Sequence, residues 1–464
     1  MSDSSKANTD SPRKAPDTPS GTPGAGKRTL RVAALARVEG EGALHLAMRG
    51  REVEECRLEI YEPPRFYEAF LRGRDFKEVP DITARICGIC PVAYQMSSCH
   101  ALEKAMGVFD QVDPDIRTLR DLLYCGEWIE SHVLHMFMLH LPDFLGYESV
   151  ISMAQDHGPV VKQALRLKKA GNAILALVGG RAVHPVGVCV GGFYKAPDPA
   201  EVAALLPEIS GCRDEMCELT LFLARKVKYP DLERDYEFVS LCPTHQYPMN
   251  LGRIRSSKGL DVDQEEFGEV IEERHVPHST ALHSVIRGRG AYLVGPLARL
   301  NLCHEHLHPR AAELVPKVCD AVGRKLPWRN NFLSLAARAL ETVHALALAA
   351  DILEHYSPPG RSRLPIPVRA GVGGHGTEAP RGICWHQYRT AADGSIAAAR
   401  IVPPTSQNQM TIEQDLRALA AQLVDVPDEQ ASLRCEHLIR NYDPCISCSV
   451  HFLKFERTRK TMNR

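Results

Sequence analysis

The chain has 464 residues, long enough to bury a sizeable core in one large domain or in two to three ordinary ones. Hydrophobic residues make up 44% and charged residues 24%, which excludes disordered and collagen-like chains, and no apolar run reaches the roughly 18 residues of a membrane span. Because 56 Lys and Arg residues nearly balance 57 Asp and Glu residues, we expect neither a nucleic-acid partner nor a membrane-surface partner.

The N-terminal segment differs from the rest of the chain. Residues 1–27 are rich in Ser, Pro, Thr and Gly and contain no apolar stretch, which predicts a disordered leader rather than a secretory signal. Fifteen cysteines in a chain without an export signal indicate metal or thiol chemistry in a reducing compartment rather than a disulfide framework. We therefore expect a cytoplasmic protein.

The predicted elements begin with strands and continue mostly as helices. Alternating apolar residues over 30–60, around the turn Glu39-Gly-Glu-Gly, predict a small β-rich region. After Pro91 the apolar positions step by three or four until Gly107, which predicts a helix with Pro at its start and Gly at its end. The same spacing predicts helices over 116–141, 160–178, 199–227, 311–322, 332–356 and 411–423.

The C-terminal half adds a second Gly-rich region. Four prolines within 357–369 end the preceding helix, and residues 371–393 predict a stretch that is poor in strands. Since both halves of the chain supply residues to the site described next, we expect one catalytic domain over residues 28–451. The predicted fold class is α+β, a predominantly helical bundle with a small N-terminal β-rich region.

Two Cys-x-x-Cys pairs carry the strongest chemical signal. Cys87 and Cys90 lie directly before a predicted helix, where free backbone N–H groups and the helix dipole favour thiolates. Cys445 and Cys448 repeat the arrangement near the other end of the chain. Four thiolates can therefore meet around one metal.

The second pair is also expected at a helix start. Asp443 is the predicted N-cap and Pro444 the first helical residue, so Cys445 and Cys448 would share one helix face. A structural four-cysteine zinc is the alternative, but zinc ribbons hold their pairs about 15–20 residues apart. Here 354 residues separate Cys90 from Cys445, and soft thiolates also suit nickel and iron, so a catalytic centre is favoured.

Seven short sequence motifs occur along the chain in the same order as in a known protein family. The chain resembles the large subunit of nickel-iron hydrogenases, particularly the cytoplasmic, NAD(P)-linked class that includes the sulfhydrogenases, from about residue 37 to 451. The motifs are Arg37-Val-Glu-Gly, Arg85-Ile-Cys-Gly-Ile-Cys, Ser131-His-Val-Leu-His, Gly180-Arg-Ala-Val-His-Pro, Gly295-Pro-Leu-Ala-Arg, Glu378-Ala-Pro-Arg-Gly and the terminal Asp-Pro-Cys-x-x-Cys-x-x-His.

The resemblance implies a nickel-iron centre on the four cysteines. Cys87 and Cys445 would bind nickel as terminal ligands, while Cys90 and Cys448 would bridge it to an iron that carries carbon monoxide and cyanide in the family. One residue departs from the pattern: many relatives have His where this sequence has Tyr94. The implied activity is reversible heterolytic cleavage of H2 into protons and electrons.

The resemblance also assigns three charged residues to the reaction. Arg381 would hold its guanidinium over the metals, and Asp143 would orient it. Glu39 would receive the proton from a cysteine sulfur, since a carboxyl group whose pKa burial can raise is a suitable relay. The alternatives are an ordinary ion-pair arginine, a helix-end aspartate and a solvated turn glutamate.

A third metal is implied near the C-terminus. Glu68, His451 and the backbone carbonyl of Gln409 would bind magnesium or iron. His132 and His135 are predicted to be packed, hydrogen-bonded helix residues instead.

Two further patterns are rejected as sites. Gly371-Val-Gly-Gly-His-Gly satisfies the spacing of a nucleotide loop, but Pro380 prevents the helix that such a loop should open. Cys303-His-Glu-His-Leu-His is interpreted as packing or adventitious surface binding.

The implied partners follow from what the chain lacks. The remaining cysteines have no ferredoxin-like spacing, so an iron-sulfur small subunit would carry the electrons away, with flavin and iron-sulfur subunits exchanging them with NAD(P). A relative of the quinone-site subunit of respiratory complex I is the alternative, but that subunit has lost the cysteines.

The last thirteen residues conflict with a buried C-terminal site. Residues 452–464 contain five basic residues and one acidic residue, and unpaired charges are costly to bury. In the resembled family a dedicated maturation protease removes such a peptide after His451 once nickel is in place. We therefore expect the same cleavage here.

Overall fold

The computed structural model describes residues 27–450, so residues 1–26 of the predicted leader, His451 and the predicted C-terminal peptide lie outside the described residues, while Lys27 is the first residue of a strand. The strands are β1 Lys27–Val32, β2 Gly42–Arg49, β3 Glu52–Ile60, β4 Val188–Cys189, β5 Gly192–Phe193, β6 Val239–Cys242, β7 Arg253–Ser256, β8 Asp261–Val262, β9 Ile271–Val276, β10 Ser279–Ile286, β11 Gly371–Ala379, β12 Gly382–Thr390 and β13 Ile396–Val402. The helices are α1 Tyr67–Leu71, α2 Val79–Ala84, α3 Pro91–Ala105, α4 Pro114–Val133, α5 Leu141–Leu145, α6 Val150–Gly179, α7 Pro199–Lys226, α8 Phe267–Val270, α9 Pro296–Cys303, α10 Pro309–Ala312, α11 Val315–Val322, α12 Ser334–Glu354, α13 Pro404–Ala420, α14 Asp428–Asn441 and α15 Ile446–Ser449.

A bundle of long helices forms the centre of the molecule, which confirms the α+β prediction. Helix α12 packs against α4 and α7, and α4 packs in turn against α6. The segment Asn331–Glu354 is apolar and long enough to cross a membrane by those criteria alone, but 94% of its apolar window is buried inside the protein. It is therefore accounted for as the core helix of the bundle.

The strands form small antiparallel sheets around the bundle. In the predicted N-terminal region β1, β2 and β3 pair in that order, with buried Leu30 opposite buried Leu46. The prediction that residues 371–393 are poor in strands is wrong, because β11 and β12 form a nine-residue ladder there, extended by β13.

The glycines that suggested a loop have a packing role in this sheet. A Cβ atom at Gly371 would lie 2.0 Å from the Ala105 carbonyl oxygen, and one at Gly373 would lie 2.2 Å from that of Ala101. The absence of side chains therefore lets β11 lie directly on α3, the helix that begins beside the first cysteine pair.

Helix boundaries differ from the predictions mainly at bends. The predicted helix over 116–141 is α4, continued by a π-helical segment over Leu134–His140 and then by α5. Helix α6 begins ten residues earlier than predicted, at Val150, and bends at His157 just before Pro159. Helix α14 was not predicted, because several of its inward positions carry small or weakly apolar side chains such as Ala431 and Cys435.

Candidate metal centre

Four cysteine sulfurs from the two ends of the chain meet in the interior. The Sγ atoms of Cys87 and Cys90 are 3.0 Å apart, and those of Cys445 and Cys448 are 2.8 Å apart. Across the pairs, Cys87 lies 3.5 Å from Cys445 and Cys90 lies 3.9 Å from Cys448. All four side chains are buried.

The first pair is held by the turn between α2 and α3. Cys90 is the N-cap of α3, as predicted, and Pro91 is its first helical residue. The backbone N–H groups of Ile89 and Cys90 donate to the Cys87 sulfur over 3.3 and 3.1 Å. Such donors stabilise a thiolate.

The four thiols do not ionise alike. Burial by itself raises the pKa of Cys87, but hydrogen bonds from the other three cysteines and the charge of Arg381 outweigh burial and bring the pKa well below its usual value. Burial, together with the hydrogen bonds of its cysteine neighbours, raises the pKa of Cys445 well above its usual value. These surroundings favour the thiolate form at Cys87 and disfavour it at Cys445.

The backbone that positions Cys445 and Cys448 differs from the predicted helix start. Helix α15 begins only at Ile446, so Cys445 occupies the N-cap position, and the prediction of Asp443 as N-cap and Pro444 as first helical residue is wrong. Asp443 has a left-handed φ of 52°. The Asp443 carboxylate binds Arg381 instead of capping a helix.

Arg381 lies beside the cysteines and is bound by Asp443. Its Nε atom donates to the Asp443 carbonyl over 2.6 Å, and one terminal nitrogen donates to Asp443 Oδ1 over 3.1 Å. Burial opposes its charge, but Asp443 and the thiolates raise the pKa of Arg381 well above its usual value. Its second terminal nitrogen is buried without a partner among residues 27–450.

The prediction that Asp143 orients Arg381 is wrong. The Asp143 carboxylate accepts hydrogen bonds from Arg440 over 2.7 and 2.9 Å and also binds Arg37. Asp143 therefore joins the Arg37 motif to α14, and Asp443 takes the orienting position. Asp443 stands two residues before Cys445, but nothing in the sequence separates it from Asp143 as the partner of Arg381.

A buried ionic network fixes the loop that carries Arg381. Arg299 donates to both carboxylate oxygens of Glu341 over 2.7 Å and to Glu378 over 3.0 Å, with all three side chains fully buried. It also donates to the backbone carbonyls of Ala379 and Pro380 over 3.0 and 3.1 Å. The two motifs that contain Arg299 and Glu378 are therefore parts of one support for Arg381.

Glu39 contacts the second cysteine pair. Its Oε2 atom accepts from the Cys445 sulfur over 3.1 Å and from the backbone N–H of Ser447 over 3.0 Å. The backbones of Glu39 and Cys445 also pair as an isolated parallel bridge. The predicted relay carboxylate is thus within hydrogen-bond distance of a ligand sulfur.

Two buried groups near the first pair were not assigned by the sequence analysis. The Glu127 carboxylate accepts from the N–H groups of Val92 and Ala93, over 2.6 and 3.2 Å, at the start of α3. Burial raises the pKa of Glu127 well above its usual value. Tyr94 is fully buried, and its hydroxyl has no hydrogen-bond partner among the residues described.

The predicted third metal set is only partly described. Glu68 Oε1 accepts from the Ile401 N–H over 2.7 Å, and burial raises the pKa of Glu68 to about 7. The Gln409 side chain is fully buried, and neither of its amide atoms has a partner within residues 27–450. Because His451 lies outside the described residues, the magnesium or iron site stays a prediction.

Two histidines and one Gly-rich sequence were predicted not to be metal or nucleotide sites, and their structural roles agree with that prediction. His132 Nε2 lies 3.0 Å from Glu341 Oε2, and His135 Nε2 lies 2.7 Å from the Arg440 carbonyl oxygen, so both are hydrogen-bonded inside the bundle. The Gly-rich sequence at 371–376 is strand β11 and opens no helix.

The donor set fits a soft metal ion. Four sulfurs about 2.3 Å from one ion would lie roughly 3–4 Å from one another, close to the separations found here. A fixed cation and a carboxylate lie against the same sulfurs, which is more than a purely structural zinc requires.

Comparison with known proteins supports the same centre. The model of the nickel-dependent hydrogenase family matches residues 65–159 and 289–451. The chain is 32% identical to the sulfhydrogenase 1 subunit alpha of Pyrococcus furiosus, covering 90% of this chain and 97% of that one. It is 34% identical to sulfhydrogenase 2 subunit alpha of the same organism, with 90% and 98% covered.

A solved structure gives the corresponding fold. The crystal structure of an NAD+-reducing nickel-iron hydrogenase in the H2-reduced state superposes with a TM-score of 0.83 at 26% identity, covering 91% of this chain and 99% of that chain. Both cysteine pairs lie within the parts of the chain that the family model matches. This chain therefore belongs to the nickel-dependent hydrogenase family, as the catalytic large subunit in which H2 is cleaved.

Proposed function

We propose that Cys87, Cys90, Cys445 and Cys448 would together hold a nickel-iron centre. The observation that carries this proposal is the convergence of four buried sulfurs on one point beside a buried guanidinium. When bound, the centre supplies the site where H2 is polarised and its electrons are accepted. Measurement of nickel content and H2 turnover in Cys448→Ser tests the ligand set.

Arg381 supplies a fixed positive charge to this site. Its contacts with Asp443 and the Arg299 network beneath its loop hold the guanidinium in place before the reaction begins. Because the surroundings are buried, the charge is screened little by water and can stabilise negative charge that develops during cleavage. Arg381 therefore acts through its field rather than as a metal ligand.

Glu39 receives the proton that cleavage releases. The Cys445 sulfur is 3.1 Å from Glu39 Oε2, a distance over which a thiol proton can pass directly. The Ser447 hydroxyl next to it donates to Glu62 Oε2 over 3.0 Å, and Glu62 is partly exposed. We therefore assign the first step of the proton exit to Glu39, with Glu62, the partly exposed carboxylate bound by the Ser447 hydroxyl, as the next candidate acceptor.

Replacing Glu39 by Gln should slow proton exit while leaving the metal centre intact. The amide keeps the shape and hydrogen bonding of Glu39 but cannot carry a proton. We expect H2 oxidation and H/D exchange to fall together by roughly 10²-fold or more, the usual size of a general acid-base contribution. Glu41→Gln, an exposed neighbour, is the matched control, and unchanged exchange in Glu39→Gln would place the exit elsewhere.

We further propose that an iron-sulfur partner subunit docks beside the loop over 180–187. His184 Nε2 lies 3.1 Å from the backbone carbonyl oxygen of Cys87, so one side chain connects a proposed nickel ligand to this loop. Val183, Val186 and Tyr194 nearby are each about half exposed, at 51, 49 and 56%. Clustered exposed apolar side chains are typical of a protein interface.

Replacing Val186 by Asp should weaken this docking. We expect H2-driven reduction of the physiological acceptor to fall at least tenfold, while H/D exchange, which needs no electron exit, stays near wild type. Leu433→Asp, at a similarly exposed position on α14, is the control. Equal losses in both variants, or loss of exchange as well, would argue against this docking surface.

Subunits that exchange electrons with NAD(P) would be reached through the same partner.

Removal of residues 452–464 by a maturation protease is also proposed. Val450, the last residue described, is fully buried and its carbonyl accepts from the Arg65 N–H over 2.8 Å, so the described part of the chain ends in the interior. A basic extension is difficult to accommodate there. Intact-mass measurement of active enzyme should find a C-terminus at His451; a full-length active chain would contradict the proposal.

A further inference from the structure

A second group of metal-binding side chains converges without any cysteine. His278 lies between β9 and β10, His283 lies on β10 and Glu413 lies on α13, with one ligand atom of each within 4.8 Å of the others. His278 Nε2 is 2.8 Å from Glu413 Oε1. The two imidazole rings meet edge to face with centroids 5.7 Å apart.

His283 is the member of this group with an unpaired ring nitrogen. Its side chain is 2% exposed, and its Nε2 atom is buried without a hydrogen bond to any residue of the described chain. An unpaired buried nitrogen loses the hydrogen bond that water would provide. Burial lowers the pKa of His283 to about 4, helped by His278, so the ring is neutral and retains a lone pair for an ion.

Glu413 has one carboxylate oxygen without a hydrogen bond among the described residues. Its Oε1 atom accepts from the Leu58 N–H over 2.9 Å and from His278, while Oε2 accepts no hydrogen bond within residues 27–450. The side chains of His278 and Glu413 are 18 and 13% exposed, which gives an ion access from solvent. No Lys or Arg of the described range forms an ion pair with Glu413.

A second cluster of three possible ligands differs in having arginines bound to its carboxylate. His140, Asp143 and His437 also bring three ligand atoms within 4.8 Å. There, however, Asp143 is bound by both Arg37 and Arg440, whose positive charges would repel a cation. The cluster at Glu413 carries one negative charge and no such neutralising pair.

We propose that His278, His283 and Glu413 bind one divalent transition-metal ion such as Zn2+. Two imidazoles and a carboxylate form a recognised zinc set with a fourth position left for water, whereas Mg2+ and Ca2+ take oxygen ligands. Ligand atoms on tetrahedral zinc lie roughly 3.4 Å apart, so side-chain shifts of about 1 Å close the set. The ion replaces the hydrogen bond between His278 and Glu413.

The expected effect is structural. The ion would join the two-stranded β9–β10 hairpin to α13, which pack against each other. Helix α13 also carries Thr405, whose hydroxyl accepts from the Cys445 N–H over 3.1 Å. Metal binding would therefore stiffen the segment that supports the second cysteine pair, at a distance from the reaction itself.

Zinc binding to the complete, nickel-loaded enzyme tests the site. The enzyme is treated with a mild chelator, titrated with Zn2+ alone and desalted, and zinc is measured per chain with nickel as the internal standard. We expect one zinc in the wild type and a loss of affinity of at least tenfold in His278→Asn and Glu413→Gln. Zn2+ should also raise the unfolding temperature of the wild type but not of these variants.

Controls separate this site from adventitious binding. His306→Asn removes a partly exposed histidine from the His-rich segment after α9 and should leave zinc binding unchanged. H2 uptake should stay near wild type in all three variants, which shows that they fold. A wild type that binds no more zinc than His278→Asn, or an equal loss in His306→Asn, would overturn the proposal.

Discussion

Cys448→Ser should abolish H2 turnover. A serine hydroxyl at this position is a hard, weakly ionised ligand, and its Oγ would face Cys445 and Cys90, whose sulfurs lie 2.8 and 3.9 Å from the Cys448 sulfur. We expect the variant to lose nickel as well as activity, since the remaining three sulfurs do not complete the four-thiolate ligand set. Metal analysis of the purified protein together with H2 uptake measures both effects.

The control for this experiment is another buried cysteine. Cys435 on α14 is buried and outside the four-sulfur cluster, so Cys435→Ser should keep both nickel and activity. If Cys448→Ser kept its nickel and turned over H2 at the wild-type rate, the four-thiolate model would fail. Zinc in place of nickel and iron in the wild type would favour the structural alternative.

Arg381→Lys should retain the metals and lose turnover by roughly 10²-fold or more. Lysine keeps the charge but offers a single ammonium group in place of the planar guanidinium that binds Asp443 at two points. The charge would no longer be fixed where negative charge develops, and loss of such preorganised stabilisation typically has this size. The kcat for H2 oxidation, with nickel content measured on the same sample, gives the result.

Arg120→Lys controls for the general cost of changing a buried arginine. Arg120 is fully buried and binds both oxygens of Glu103, over 3.0 and 2.6 Å, without contacting the cysteines. Both variants should be less stable than the wild type, but only Arg381→Lys should lose turnover at full nickel content. Equal turnover in the two variants would indicate that Arg381 forms an ordinary structural ion pair and has no role in the reaction.

Much of the site could be predicted because it depends on spacing along the chain. Both cysteine pairs follow the local rule for ligand spacing, and Cys90 and Pro91 at the start of α3 also follow the rules for a helix start. The partner of Arg381 could not be found in this way. Asp143 and Asp443 are both acidic residues in plausible motifs, and only the left-handed turn at Asp443 decides between them.

The strand-poor prediction for 371–393 failed for a related reason. Glycine is uncommon in strands because it loses chain entropy and offers no side chain to pack. In β11 that missing side chain is what allows the strand to lie against α3, with Gly371 and Gly373 against the carbonyls of Ala105 and Ala101. The deciding contact joins segments more than 260 residues apart, and no local pattern records it.

The separation of the two cysteine pairs along the chain determines how early the metal centre can assemble during synthesis. Cys87 and Cys445, whose sulfurs touch in the folded protein, are 358 positions apart in the sequence. At the 5–20 residues per second typical of translation, the second pair leaves the ribosome on the order of 20–70 s after the first. Through that interval Cys87 and Cys90 have emerged while the other half of their centre does not yet exist. The centre can therefore close only after Cys448 has been synthesised, and the nascent chain must keep its first two thiols reduced and free of other metals until then.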